Sequence, residues 1–118
     1  MIPIEREDRD NITILKPQPQ SRELDFENTV QLRSELHSLL KERKNCIIID
    51  MTDVDAISSY TVGVFVAFAK DLRERKGDLK FVNVHGRTHD TFYATRINHI
   101  LNLFDGDNAV DKAIKAFI

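Results

Sequence analysis

The chain has 118 residues, 42% apolar and 31% charged, the balance of one globular domain with room for a core and not of a disordered segment. Its net charge of −2 lacks the basic excess expected of a nucleic-acid binder, so no nucleic-acid partner is expected. The single cysteine, Cys46, can form neither an internal disulfide nor a metal site by itself, and its apolar neighbours make it a buried structural thiol.

The first eight residues carry no long apolar segment of the secretory type. No apolar run approaches the roughly 20 residues that span a bilayer, so direct membrane insertion is not expected and the cytoplasm is the expected compartment. Residues 11–16 alternate as a strand, with a shorter strand before them over 2–6. Pro17-Gln18-Pro19-Gln20 breaks that pattern. Asp25 then reads as a helix N-cap, with Glu27 in the first turn and Leu32, Leu36, Leu39 and Leu40 at helical spacing. Lys41, Arg43 and Lys44 crowd the end of that helix, where positive charge suits the dipole.

Residues 46–50 form a continuous apolar run ending at Asp50, the pattern of a strand buried on both faces. An acidic connection leads to Ser58 and Ser59, and the spacing predicts a helix over 59–76. Its expected inner stripe is Val62, Phe65, Val66, Ala69 and Leu72, and Gly77-Asp78 stops it. A strand over 79–84, a helix over 88–95 and a short strand over 101–104 follow. Asp107 or Asn108 opens a last helix with Val110, Ala113, Ile114 and Phe117 inward. This β-β-α-β-α-β-α-β-α order places the chain in the α/β class: a mostly parallel sheet of four to five strands with about four helices. The expected core includes Ile47, Ile49, Val62, Phe65, Val66, Val82, Ile114 and Phe117. In such sheets ligands and partners meet the carboxyl ends of the strands, which is where Ser58 and Ser59 fall.

Two readings apply to this serine pair. One hydroxyl or the other caps the helix, or one accepts a phosphoryl group, which a helix N-terminus tolerates well. Tyr60, Val64 and Phe68 stand at i, i+4 and i+8. They either complete a wide buried face or form an exposed apolar strip for a partner. Gly63, which weakens a helix, suggests close approach of another backbone. Asp50, Asp53 and Asp55 resemble magnesium-binding strand-end aspartates only superficially, because no matching acidic pair or strand-end lysine stands elsewhere; no metal is expected. His85 and His89 lack a third ligand and read as surface or capping residues, and His37 and His99 have no evident partners. No local catalytic cluster and no phosphate-cradling glycine run is present, so neither an enzyme nor a cofactor is expected.

Three stretches carry a family resemblance: residues 22–32 with Glu23-Leu24-Asp25, residues 47–54 with Ile47-Ile48-Ile49-Asp50, and residues 57–63, Ile57-Ser58-Ser59-Tyr60-Thr61-Val62-Gly63. With Phe81-Val82-Asn83-Val84 and Ile97-Asn98-His99-Ile100-Leu101 they cover nearly the whole chain, which resembles the STAS domain family and, within it, the bacterial anti-sigma factor antagonists. The resemblance implies a single STAS domain over 1–118. It implies phosphorylation at Ser59, with Ser58 as the second candidate. It also implies a partner surface at Ser58, Ser59, Tyr60, Thr61, Gly63, Val64 and Phe68. The implied partners are a serine-kinase anti-sigma factor and a metal-dependent serine phosphatase, in a switch that regulates transcription. Ser58, Tyr60 and Thr61 stand where the family has aspartate, serine and glycine, and Arg96 where it often has glycine. A constitutive adaptor or scaffold subunit, for example of a membrane-transport complex, is the alternative, with Ser59 serving only the helix end.

Overall fold

Ile47, Ile48 and Ile49 are all fully buried, because β4 (Cys46–Asp50) is the central strand of a sheet covered on both faces. The computed structural model describes residues 1–118. Its main sheet has five strands in the order β1-β2-β4-β6-β7, built with β1 (Ile4–Arg9), β2 (Ile12–Pro17), β6 (Asp78–Val82) and β7 (Asn102–Phe104). Neighbours from β2 to β7 run parallel, while β1 pairs antiparallel with β2, so the sheet is mixed. Two further strands, β3 (Glu23–Leu24) and β5 (Ala56–Ile57), form a separate parallel pair that the sequence pattern does not announce.

Side-chain alternation sorts the sheet into two faces. Leu15, Ile47, Ile49, Leu79 and Phe81 point into a cluster of 21 buried residues, which α1 (Phe26–Lys41), α2 (Ser59–Glu74) and α3 (Gly86–Ala94) complete. Ile12, Ile14, Ile48 and Val82 point the other way and share a cluster of six buried residues with Ala109 and Ala113 of α4 (Ala109–Lys115). Asp25 does cap α1, its carboxylate accepting the Asn28 amide at 2.8 Å. Just past the end of α2, Gly77 is required for a steric reason: a Cβ there would lie 1.9 Å from the Asn45 carbonyl oxygen. That carbonyl accepts the Asp78 amide at 3.0 Å and starts the β4–β6 ladder.

Four expected core residues, Ile47, Ile49, Phe65 and Val82, are fully buried. The other four are not. Val62 and Val66 are half-buried on the flank of α2, and Ile114 on the short α4 and Phe117 just after it are half-buried too. Cys46 is also half-buried and not fully enclosed; burial still pushes its thiol pKa up. The thin face contains a buried lysine. Lys80 Nζ stands 3.3 Å from Asp78 and 4.7 Å above the Phe117 ring, so its charge is paired and its stem is packed. Arg96 has φ +60°, the left-handed region that favours glycine, and leads into a 3-10 turn over Ile97–His99.

Candidate functional site

The two adjacent serines have different surroundings. Ser58 has extended backbone and is the N-cap of α2, while Ser59 is the first helical residue. The Ser58 hydroxyl accepts the Thr61 amide at 3.2 Å, and the Ser58 amide reaches the Thr61 hydroxyl at 3.3 Å, a reciprocal capping box. Thr61 Oγ1 lies 3.1 Å from the Leu24 carbonyl oxygen, which can only accept, so Thr61 donates there. With that proton spent, the Thr61 oxygen has two lone pairs, which the nearer donors fill, Ser58 Oγ at 2.8 Å and the buried Thr29 Oγ1 at 2.7 Å, while the Ser58 amide bonds chiefly to the Leu24 carbonyl at 3.0 Å. The Ser58 hydroxyl is therefore committed as both donor and acceptor. Ser59 is exposed, and its hydroxyl takes part in none of the hydrogen bonds of the junction.

The loop ahead of the serines is fixed by charge. Arg22 donates to Asp55 through Nε at 2.9 Å and Nη2 at 3.1 Å, and through Nη2 to the Thr52 carbonyl at 3.0 Å. These bonds hold the Asp55 carboxyl below the usual carboxylate range. They also tie the β3 entry to the β4–β5 loop, where the Asp55 amide bonds the Arg22 carbonyl at 2.7 Å. Asp53 lies 3.6 Å from Arg22 and 3.9 Å from Lys16. Asp50 accepts from the Thr52 amide at 3.0 Å, the Thr52 hydroxyl at 2.6 Å and the Asn83 side chain at 3.2 Å. These strand-end carboxylates thus serve loop closure and ion pairing, and no group of three His, Cys, Asp or Glu side chains is placed to hold a metal. His85 occupies the N-cap position of α3 but makes no side-chain cap; its Nε2 stands 2.9 Å from the Thr52 carbonyl. His89 stacks on Tyr93 with ring centroids 4.3 Å apart.

The expected partner surface divides on inspection. Ser59 and Gly63 are exposed, and Ser58 and Tyr60 half-exposed. Thr61, Val64 and Phe68 are buried and are not available as an exposed strip. The reason is the rotation of α2. Its inward face is Thr61, Val64, Phe65, Phe68, Ala69 and Leu72, and α1 covers the side expected to be open. Thr29 meets Thr61 there, and the His37 ring meets Phe68 edge-on at 4.9 Å. Nothing lies within 4 Å of a Cβ built on Gly63, so the fold itself makes no close approach at that glycine. The sequence reading missed Phe26, which is 60% exposed and packs on Tyr60 at 4.8 Å beside Ser59. It also missed the Thr29–Thr61 bond. The Ser58-x-x-Thr61 spacing was the available signal for the cap.

No helix of the molecule is long and apolar enough to cross a membrane. Comparison with curated proteins returns no match. Solved structures similar to the chain include an anti-sigma factor antagonist from Mycobacterium paratuberculosis, with TM-score 0.82 at 18% identity, covering 99% of this chain and 94% of that one. An anti-sigma-factor antagonist (STAS) domain protein from Planctomyces limnophilus gives TM-score 0.80 at 16% identity, covering 97% of each. A sulfate transporter family protein from Wolinella succinogenes gives TM-score 0.74 at 16% identity, covering 94% of this chain and 90% of that one. At these identities the likeness establishes the fold. The family model for the STAS domain matches residues 3–109, and the chain therefore belongs to the STAS domain family.

Proposed function

We propose that this chain is an anti-sigma factor antagonist, a non-enzymatic cytoplasmic module switched by phosphorylation of Ser59. Unmodified, it binds a serine-kinase anti-sigma factor and so frees the sigma factor. The kinase phosphorylates Ser59 and the complex ends; a metal-dependent serine phosphatase restores it. The observation that carries this reading is the asymmetry of the serine pair. Ser58 is consumed by the cap, whereas Ser59 presents an exposed hydroxyl with no internal bond to break.

The chemistry is compatible with both states. A phosphate on the first residue of α2 sits among amides that lack helical partners, where negative charge is favoured, so the fold survives modification. Pressed against a partner without a matching cation, the same dianion costs several kcal/mol. About 1.4 kcal/mol is already tenfold in affinity. Tyr60, half-exposed and braced by Phe26, supplies an aromatic contact directly beside the acceptor.

A second reading has its own observation. Tyr60 and Thr61 replace the small residues of the family signature, and Thr61 pins the junction to α1 and β3. That suits a permanent contact, as in a constitutive adaptor, and a sulfate transporter family protein shares the fold. Mass spectrometry of the protein recovered from its cells separates the two. Phosphate on the peptide containing Ser59 supports the switch, and its absence under all growth conditions supports the adaptor.

A further inference from the structure

We infer that Thr61 is a positioning residue that confines phosphoryl transfer to Ser59: its buried oxygen holds the Ser58 hydroxyl proton and so withdraws Ser58 as an acceptor. The inference rests on the switch reading above and adds how the chain selects between two adjacent serines. Neither access nor charge makes that selection. Ser58 is half-exposed and Ser59 exposed, side by side at the same helix end. A phosphate on either stands at a helix N-terminus, where negative charge is favoured. What differs is the hydroxyl proton.

Transfer from a nucleoside triphosphate on the kinase forms a bond between the serine Oγ and the γ-phosphorus. It breaks the bond from that phosphorus to the departing nucleoside diphosphate. The serine proton passes to a base of the kinase. The acceptor must therefore turn its proton outward. Ser59 is free to do so, because its hydroxyl takes part in no bond of the junction. Ser58 is not. Its proton lies toward Thr61 Oγ1 at 2.8 Å, and its oxygen accepts the Thr61 amide at 3.2 Å. Thr61 is itself held from two further elements. Its hydroxyl donates to the Leu24 carbonyl of β3 at 3.1 Å, and Thr29 of α1 bonds its oxygen at 2.7 Å. Both threonines are fully buried, so an approaching kinase meets no part of Thr61 to displace. A valine would fill the same space at 61. The threonine adds only a hydroxyl, which burial tolerates because its donor and acceptor capacity is used.

The test is phosphoryl transfer by the purified serine-kinase anti-sigma factor from the same cells to the full chain. Mass spectrometry locates the phosphate, and a melting curve is taken for each variant. Ser59→Ala is the background, since it removes the ordinary acceptor. The expected result is phosphate on Ser58 in Ser59→Ala/Thr61→Val, at least about tenfold above Ser59→Ala alone, the factor that about 1.4 kcal/mol supplies. Ser59→Ala/Thr61→Ser keeps the hydroxyl and should stay at background. Ser59→Ala/Thr29→Val removes a hydroxyl from the same junction but leaves the Ser58–Thr61 bond, and should stay there too. Ser59→Ala/Thr61→Ala repeats the test in case valine is poorly accommodated. Unmodified Ser58 in the folded Thr61→Val or Thr61→Ala double variant overturns the inference and leaves the switch standing. Equal phosphate on Ser58 with Thr29→Val overturns it as well, because loosening of the junction would then suffice. Phosphate on Ser58 in Ser59→Ala alone does the same. No phosphate in the wild type overturns the switch and this inference together.

Discussion

The two faces of the sheet are built to different depths. One face carries three helices over 21 buried residues, with the Phe65, Phe81 and Phe92 rings 4.8–6.5 Å apart at its centre. The other carries only the seven-residue α4 over six buried residues, and Phe104, Ile114 and Phe117 close it half-exposed. The candidate site stands on the deep face. Thr61 in the first turn of α2 bonds Thr29, and Val64 and Phe65 just after it are buried, so Ser59 is exposed at the end of a helix anchored in the deep face. A surface that must be recognised in one geometry gains from such backing, since few kcal/mol are needed elsewhere to hold it.

The largest effect that sharpens this contrast is Phe65→Ala. Its side chain is fully buried, and denaturation should show a loss of about 3–5 kcal/mol. Phe117→Ala on the thin face should cost less than about 2 kcal/mol, because the residue is only partly buried and burial energy follows the area removed. Equal losses would break the comparison. Next in size is the serine pair. Ser58→Ala removes a capping box and should lower stability by about 1 kcal/mol, while Ser59→Ala, which removes no internal bond, should stay within about 0.5 kcal/mol of wild type. Gly63→Ala should raise stability by up to about 1 kcal/mol, since the added methyl meets open space in a mid-helix position. A loss instead would show that α2 is closed over at 63.

The smallest effect is in acid. Arg22 depresses the Asp55 pKa in the folded state, so the contribution of this pair is present above the ordinary carboxylate pKa of about 3.9. It is lost as pH falls through the lower folded value, and neutral pH is unaffected. An NMR titration should find Asp55 below the normal range in wild type and returned to it in Arg22→Ala.

Legibility in the sequence followed local constraint. The β4 run and the Asp25 cap each have one solution and were readable. The inward face of α2 was not. From Val62 to Ala69 every residue is apolar or glycine, so helical spacing fits more than one stripe, and only the packing of α1 decides among them. The same rotation turned Val64 and Phe68 from an expected contact strip into core. β3 and β5 are two residues each, too short for a period, and exist because Arg22–Asp55 and Leu24–Ser58 hold them together. Arg96, which the resemblance places where glycine is frequent, holds a left-handed backbone at φ +60°, a conformation no local sequence signal announces. At the serine junction the start of α2 was legible, and which of Ser58 and Ser59 makes the cap was not, because it depends on which residue takes the first helical dihedrals.

The most direct test of that division is phosphoryl transfer by the purified serine-kinase anti-sigma factor to wild type, Ser58→Ala and Ser59→Ala, followed by calorimetry of Ser59→Asp with the same kinase. The account predicts phosphate incorporation in wild type and Ser58→Ala, none in Ser59→Ala, and binding to Ser59→Asp weakened at least tenfold with an unchanged melting curve. Incorporation that survives Ser59→Ala, or equal affinity for wild type, Ser59→Asp and the phosphorylated chain, would contradict it.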